Sequence, residues 1–318
     1  MDIFGFLKTH KITFEENVPL SKKTWIKTGG ICAYWIVPES IEQLTRVCKF
    51  LYSSKIAFAL VGQTSNIFFH NTYHPEVVIS TIGVKNYQIK DNILIADCGV
   101  SVARMAKECL AKGYTGFYGL IGLPGTVAAA VCNNASCFDC SITSMLISVD
   151  CLMSDGSVRT LRKEELGFRH RSSAFKRKEI QGVVLSVKLR LEKAADEAEE
   201  QRKSEEAVRY RHEKQEKPHL NLGSVFASRT MRTNARNILV FFLTRCLSVL
   251  GIIKDKRRFQ KRLMLSMYGY GELNPYISDK NINTFIWQDE QAERMFNLYK
   301  QFMGKVYKDL ILEIEEKR

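Results

Sequence analysis

The residue pattern predicts an α+β protein built in two domains. Three observations carry this: strand-like and helix-like stretches alternate over the first two thirds of the 318 residues, a densely charged segment follows Leu191, and a shorter basic and apolar remainder closes the chain. Periods of two and of 3.6 residues in succession call for a sheet with helices packed on it. The length accommodates roughly two domains. The expected layout is a first domain over 1–191, a charged helical linker over 192–218 and a smaller second domain over 219–318.

Each element has its own warrant. Residues 33–37 read as a strand. Pro38 then leads into a helix with Ser40 as N-cap and Gln43 three residues on, a capping box, and Ile41, Leu44, Cys48 and Leu51 give that helix one apolar face. Residues 56–61 form a short buried strand that runs into Gly62, and 77–80 and 93–96 are further strands. Ser101 caps a second helix that turns Val102, Met105, Ala106, Cys109 and Leu110 inward, and Gly113 stops it. Asp155-Gly156 marks a hairpin between strands at 146–153 and 158–161. Over 185–191, Leu185, Val187, Leu189 and Leu191 alternate with Ser186, Lys188 and Arg190, the pattern of a half-buried strand. Pro218 ends the charged segment. A long helix from Asp289 presents Ala292, Met295, Phe296, Tyr299, Phe302, Met303 and Val306 as a core stripe, and 310–314 closes the chain as a strand.

Composition removes several classes. With 45% hydrophobic and 25% charged residues the chain reads as globular rather than disordered. Its best membrane candidate, 238–253, carries Arg245 and falls short of the ~20 residues a span requires; a buried core helix is expected there rather than one lying on a membrane. Residues 1–10 lack the basic start and apolar stretch of a signal peptide, so a cytoplasmic location is expected. Nine cysteines without regular spacing suit buried thiols. Cys137 and Cys140 form a C-x-x-C near Cys132, but zinc would need a second pair, and no metal is expected.

The net charge of +13 is concentrated: between Arg229 and Arg262 lie ten Lys/Arg and one acid, Asp255. Such a patch suits nucleic acid, a membrane surface or phosphorylated small molecules, and equally a solvated helix face. No nucleic-acid motif accompanies it, so no nucleic-acid partner is expected. The sequence leaves the oligomeric state open.

Three small-residue loops are the candidates for chemistry. They are Lys27-Thr28-Gly29-Gly30, then Gly62-Gln63-Thr64-Ser65-Asn66 directly after a buried strand, and the stretch 119–130 with Gly119, Pro124, Gly125, Thr126 and Ala129, followed by Asn133-Asn134. Small residues let backbone N–H groups approach an anion, and hydroxyls add donors. Neither a P-loop nor a G-x-G-x-x-G is present, which disfavours Walker and Rossmann sites.

Taken in order, these loops resemble the UDP-N-acetylenolpyruvoylglucosamine reductase family, whose flavin domain is of the vanillyl-alcohol-oxidase type. Asn17-Val18-Pro19-Leu20-Ser21 with Thr28-Gly29-Gly30 is similar to that family's opening, and 62–66 to its G-G-G-S-N flavin loop. Residues 119–130 resemble G-L-x-x-I-P-G-T-V-G-G-A. Phe168 through Phe175 resembles F-x-Y-R-x-S-x-F, Leu222-Gly223-Ser224-Val225-Phe226 resembles A-G-S-V-F, and Leu310 through Ile314 the closing L-x-x-E-V.

The resemblance implies an FAD-binding domain of two α/β subdomains, holding FAD through Thr28, Gly29, Gly30, Gly62, Gln63, Thr64, Ser65, Asn66, Gly119, Pro124, Gly125, Thr126, Ala129 and Asn134. A smaller C-terminal α+β substrate domain would follow. NADPH as co-substrate would reduce the flavin, which would pass hydride to the enolpyruvyl group of a UDP-sugar. Arg171 would stabilise the resulting enolate, Ser224 would donate a proton to carbon, and Glu313 would assist Arg171, with Glu315 as the competing carboxylate. Read singly, Arg171 and Glu313 are equally surface ion-pair residues and Ser224 a turn residue.

Departures from the pattern fall on the substrate side. His170 replaces a Tyr, Phe226-Ala227-Ser228-Arg229 replaces F-K-N-P, and Ala128-Ala129 replace two glycines. Two alternatives therefore stand beside the reductase: a diverged FAD-dependent oxidoreductase acting on another nucleotide-sugar, and a non-catalytic flavin-binding protein.

Overall fold

The structure, a computed structural model, describes residues 2–216 and 220–318; Pro218, expected to end the charged segment, lies outside them. Two compact units emerge. The first holds the N-terminal segment through Thr24 with Thr28–Ser65 and Asn71–Arg209, and the second holds Trp25–Lys27, Asn66–His70 and Tyr210–Arg318.

In the first unit, β1 (Thr13–Pro19), β2 (Ile31–Val37), β3 (Phe58–Val61) and β5 (Val77–Ser80) form a sheet in the order β1-β2-β5-β3, while the intervening β4 (Ile67–Phe69) belongs to the second unit. Strands β2, β5 and β3 are parallel and β1 is antiparallel at the edge. Helix α1 (Ile3–Thr9) and helix α2 (Ile41–Ser53) pack on it, burying Leu7, Leu44, Val47, Cys48 and Leu51. The cap of α2 forms as its sequence requires: Ser40 Oγ accepts from Gln43 N–H at 3.1 Å, and Gln43 reaches back to Glu39 N–H at 2.9 Å.

A second sheet orders β6 (Tyr87–Lys90), β7 (Ile93–Asp97), β10 (Leu146–Met153), β11 (Val158–Arg162) and β12 (Gly182–Arg190) as β11-β10-β12-β7-β6, all antiparallel. A two-residue ribbon, β8 (Ser136–Cys137) and β9 (Cys140–Ser141), lies between β7 and β10 in sequence. Helix α3 (Val102–Ala111), capped by Ser101, buries Val102, Met105, Ala106 and Cys109 against this sheet, joined by the short α4 (Val127–Cys132).

Strand β12 is half-buried as expected over 187–190 and buried throughout 183–186. It runs between β10 and β7, and Val183 to Val187 are buried on both faces, leaving only Lys188 and Arg190 exposed. A register break between Val184 and Ser186 switches its faces, so Val184, Val187 and Leu189 join the α3 core whereas Val183 and Leu185 join the α2 core. Even Ser186 is buried, with its hydroxyl donating to Asp150 at 2.9 Å.

The charged segment forms α5 (Glu197–Lys214), a solvated helix with intrahelical Glu199–Arg202 pairing that runs from one unit into the next. In the second unit β13 (Phe226–Met231) pairs antiparallel with β14 (Tyr307–Leu312), and β4 pairs parallel with β15 (Glu315–Lys317). Three helices complete it: α6 (Ala235–Val249), α7 (Lys256–Tyr268) and α8 (Ala292–Val306). All seven stripe residues expected in α8 are buried, in a core rich in aromatic rings that includes Phe68, Phe285 and Trp287.

Helix α6 departs from the expected buried core helix. Only Asn237, Val240 and Thr244 are buried, while Ile238, Phe242 and Val249 stand in solvent. The stripe of α8, with Met264, Leu265 and Tyr268 of α7, already fills that core. Two of the three residues α6 turns inward are polar: the Asn237 amide donates to the carbonyls of Arg232 and Val306, and Tyr268 Oη donates to Asn237 Oδ1. Among the described residues no helix is long and apolar enough to cross a membrane.

Candidate functional site

The parallel strands β2, β5 and β3 end together, and ligands of open α/β sheets lie outside such carboxyl ends. The loop after β3 carries Gly62 to Ser65, and it is joined to the 119–126 loop. Gln63 Oε1 accepts from Gly125 N–H at 2.8 Å. Gly62 sits so close to Thr126 that a Cβ there would stand 2.6 Å from its hydroxyl, so only glycine fits. Gly125, at φ +126°, takes a conformation L side chains avoid, and a Cβ on it would lie 3.6 Å from Ser65 Oγ. Thr64 is buried at φ +55°. Two of the three loops thus form one cradle.

The remaining expected cofactor positions are distributed. Thr24 Oγ1 accepts from Thr28 N–H and donates to Thr28 O, while Gly29 N–H donates to Asn71 and Gly30 O accepts from Leu20 N–H. Gly119 packs on the β8–β9 ribbon, with its N–H directed at Cys140 Sγ. Pro124 is exposed and Ala129 partly so. The first amides of α4 are engaged within the protein, Val127 N–H by Val100 O and Ala128 N–H by Cys98 O. Asn66 falls in the second unit, where its amide donates to Glu313 O at 3.3 Å. Asn134 is a bracket: its Oδ1 accepts from Thr143 at 2.6 Å and its amide donates to Arg169 O at 2.8 Å.

That bracket holds the turn bearing Arg171. Arg169 and Ser172 exchange two backbone hydrogen bonds at 3.0 Å, leaving His170 and Arg171 at the apex with Arg171 at φ +52°. Ser173, fully buried, anchors the next residue through its hydroxyl to Cys132 O at 2.6 Å.

FAD fits the first unit by a direct observation. Thr28 Oγ1 and Ser80 Oγ are buried without a hydrogen-bond partner, a state that costs about 1–3 kcal/mol per group unless a ligand satisfies it. Ser80 ends β5 beside Val61, the residue before Gly62, and was missed by sequence reading. The one signal available was a hydroxyl closing an otherwise apolar strand.

In the second unit the chain brings the backbone of Glu313 against Val225, the residue after Ser224. Glu313 N–H donates to Val225 O at 2.8 Å, at the end of the ribbon where Phe226 pairs with Leu312. Asn283, 1% exposed, fixes this corner. Its carbonyl oxygen accepts from Val225 N–H, its Oδ1 from Phe226 N–H, and its amide donates to Phe226 O. Gly223, at φ +72°, sets up the turn with its N–H on Asn221. Glu315 is elsewhere: β14 ends at Leu312, so the expected strand does not run through 314, and Glu315 opens β15 with its carboxylate on Lys317.

The same unit contains a cleft of about 360 Å³ lined by Tyr210, Lys214, Arg257, Lys261, Lys280 and Tyr307 among others. Lys261 is buried, donates to the carbonyls of Asn274 and Ile277, and pairs with Asp279 at 2.5 Å. Burial pulls its pKa down, against the opposing effect of the hydrogen bond it donates to Asp279.

The model of the FAD binding domain family matches residues 32–162. The UDP-N-acetylenolpyruvoylglucosamine reductase of Shouchella clausii is 30% identical over 214 residues, 67% of this chain and 68% of that protein. The enzyme of the same name from Caldicellulosiruptor saccharolyticus is 28% identical over 221 residues, 69% of this chain and 71% of that one. The crystal structure of the Thermus caldophilus reductase of this kind matches the fold with a TM-score of 0.67 at 22% identity, covering 96% of this chain and 100% of that one. The fold and its loop cradle therefore define a flavoprotein with an FAD-binding domain. Within that class, the chain belongs to the UDP-N-acetylenolpyruvoylglucosamine reductase family.

Proposed function

We propose that this protein reduces the enolpyruvyl group of UDP-N-acetylglucosamine enolpyruvate to the lactyl ether of UDP-N-acetylmuramate, an FAD-dependent step with NADPH as reductant. Bound FAD supplies hydride transfer, taking two electrons from NADPH and delivering them to the substrate's carbon–carbon double bond. The protein's own residues do the rest. The cradle of 62–65 and 124–126 holds the cofactor's phosphates, with Thr28 and Ser80 as added hydroxyl partners. Arg171, permanently charged, binds the substrate carboxylate and stabilises the enolate. Ser224 Oγ donates the proton that completes reduction at carbon. Glu313, its backbone tied beside Ser224, assists in holding the enol form. The basic cleft lined by Lys214, Arg257 and Lys280 takes the UDP diphosphate, in place of the Lys and Asn that F-K-N-P supplies in the family.

The observation that carries this reading is the pairing of Glu313 with Val225, which sets the two expected residues of the second unit at one corner. The rewritten segment after Phe226 favours a second reading, in which the same chemistry serves a related nucleotide-sugar. Two measurements separate the possibilities. The purified protein is expected to be yellow and to bleach with NADPH under anaerobic conditions, and a colourless protein that binds no FAD rejects both readings. Colour should return on adding UDP-N-acetylglucosamine enolpyruvate; bleaching that only a different nucleotide-sugar reverses selects the second.

A further inference from the structure

Helix α6 is built with its apolar side outward. At 100° per residue, Ile238, Phe242 and Val249 fall on one side and Asn237, Val240 and Thr244 on the other, and the second set is the buried one. The outer three are 57%, 63% and 80% exposed, and Leu250 and Ile252 extend the surface at 69% and 65%. No folding requirement accounts for this arrangement, because the inward stripe is satisfied by hydrogen bonds from an amide and a hydroxyl. Cations accompany it: Arg236, Arg245, Lys254 and Lys256 are all exposed, whereas Arg258 is paired with Asp279 at 3.3 Å. The one acid of the region, Asp255, has its carboxylate on Arg258 N–H as the cap of α7.

We infer that this face docks on the surface of an anionic lipid bilayer, with α6 lying in the interface and the cations on the headgroups. A second copy of the chain fits poorly, since a two-fold contact would set cations against cations. Nucleic acid would answer the charge and leave the aliphatic and aromatic groups in water. The helix is too short to span.

Flotation of the purified full-length chain tests this. The protein is expected to rise with vesicles of phosphatidylglycerol and phosphatidylcholine in equal parts and to stay behind with phosphatidylcholine alone. Added salt should weaken the association. The double substitution Ile238→Ser, Phe242→Ser should lower the partition coefficient roughly a hundredfold, and Arg245→Gln roughly fivefold. If the double variant loses its far-UV circular dichroism, Leu250→Ser with Ile252→Ser, beyond the helix, serves instead. Failure of the wild type to float with the anionic vesicles overturns the inference, as does undiminished flotation of the variants. A dimer seen by light scattering that the same substitutions dissociate would assign the face to a second copy and overturn it too.

Discussion

Ser224 is held by its neighbours' backbone rather than by its own side chain, and Asn283 supplies most of that hold. The proposed role of Ser224 makes a separable prediction. Ser224→Ala should leave reduction of the flavin by NADPH intact while slowing reoxidation by substrate about 10²–10⁴-fold, read by anaerobic stopped-flow absorbance. Equal loss in both half-reactions would remove the hydroxyl as proton donor. Asn283→Ala strips two side-chain hydrogen bonds from a buried corner, leaving the backbone bond from Val225 N–H in place, and should destabilise the second unit by about 1–3 kcal/mol, measured as a lower denaturant midpoint. Ser224 and Glu313 were nominated from the sequence by their short motifs, and their roles are proposals. Asn283 was not nominated, because an Asn in a polar loop reads like any other turn residue until the strand pair it braces is known.

At the scale of the element, the turn from Phe168 to Phe175 shows how a loop residue gains a fixed position. Asn134 was expected to touch the cofactor, and the structure directs both ends of its side chain to protein groups, the amide to Arg169 O in the Arg171 turn and the oxygen to the Thr143 hydroxyl. Asn134→Ala should therefore lower kcat by about tenfold, a 1.4 kcal/mol effect, with FAD binding nearly unchanged by fluorescence titration; a large loss of FAD affinity would return Asn134 to the cofactor. Capped helices and the Asp155-Gly156 hairpin were predictable because caps and turns depend on residues within a few positions of one another. The alternation along β12 was visible too, but not that both faces would be covered from Val183 to Val187. That depends on two separate cores closing over one strand.

Across the whole molecule, burial and charge set how the protein responds to reagents and to acid. Burial pushes the thiols of Cys48, Cys98, Cys109 and Cys151 up to about 12, and Cys32 and Cys140 are buried as well. Alkylation of the native protein at neutral pH should be confined to Cys132, Cys137 and Cys246, with all nine modified after denaturation, as counted by mass spectrometry. In the second unit Glu316 joins β15 to α8 and β4. Burial alone would raise its pKa, but hydrogen bonds from Lys300, His70 and Arg318 outweigh that and hold it at about 2, against 4.5 for a free carboxyl. Its folded pKa being the lower, the stabilisation is present above the free value and is lost as pH falls from 4.5 toward 2. Glu316→Gln should flatten acid unfolding over that window and cost about 2 kcal/mol at neutral pH.

The sequence by itself determined the α+β class and the order of most elements, and it nominated the flavin loops and the residues proposed for chemistry. All of these follow from period, caps, turns and ordered short motifs, which are properties of near neighbours. Tertiary structure alone decided which loops share a cradle, that the backbone of Glu313 rather than Glu315 lies against Val225, the residue after Ser224, and that α6 turns its apolar side to solvent. Each was settled by competition among distant segments: the chain leaves β14 at Leu312, and the stripe of α8 filled the core that an isolated reading had reserved for α6. Such outcomes depend on what else is packed nearby, and no local pattern of residues contains that information.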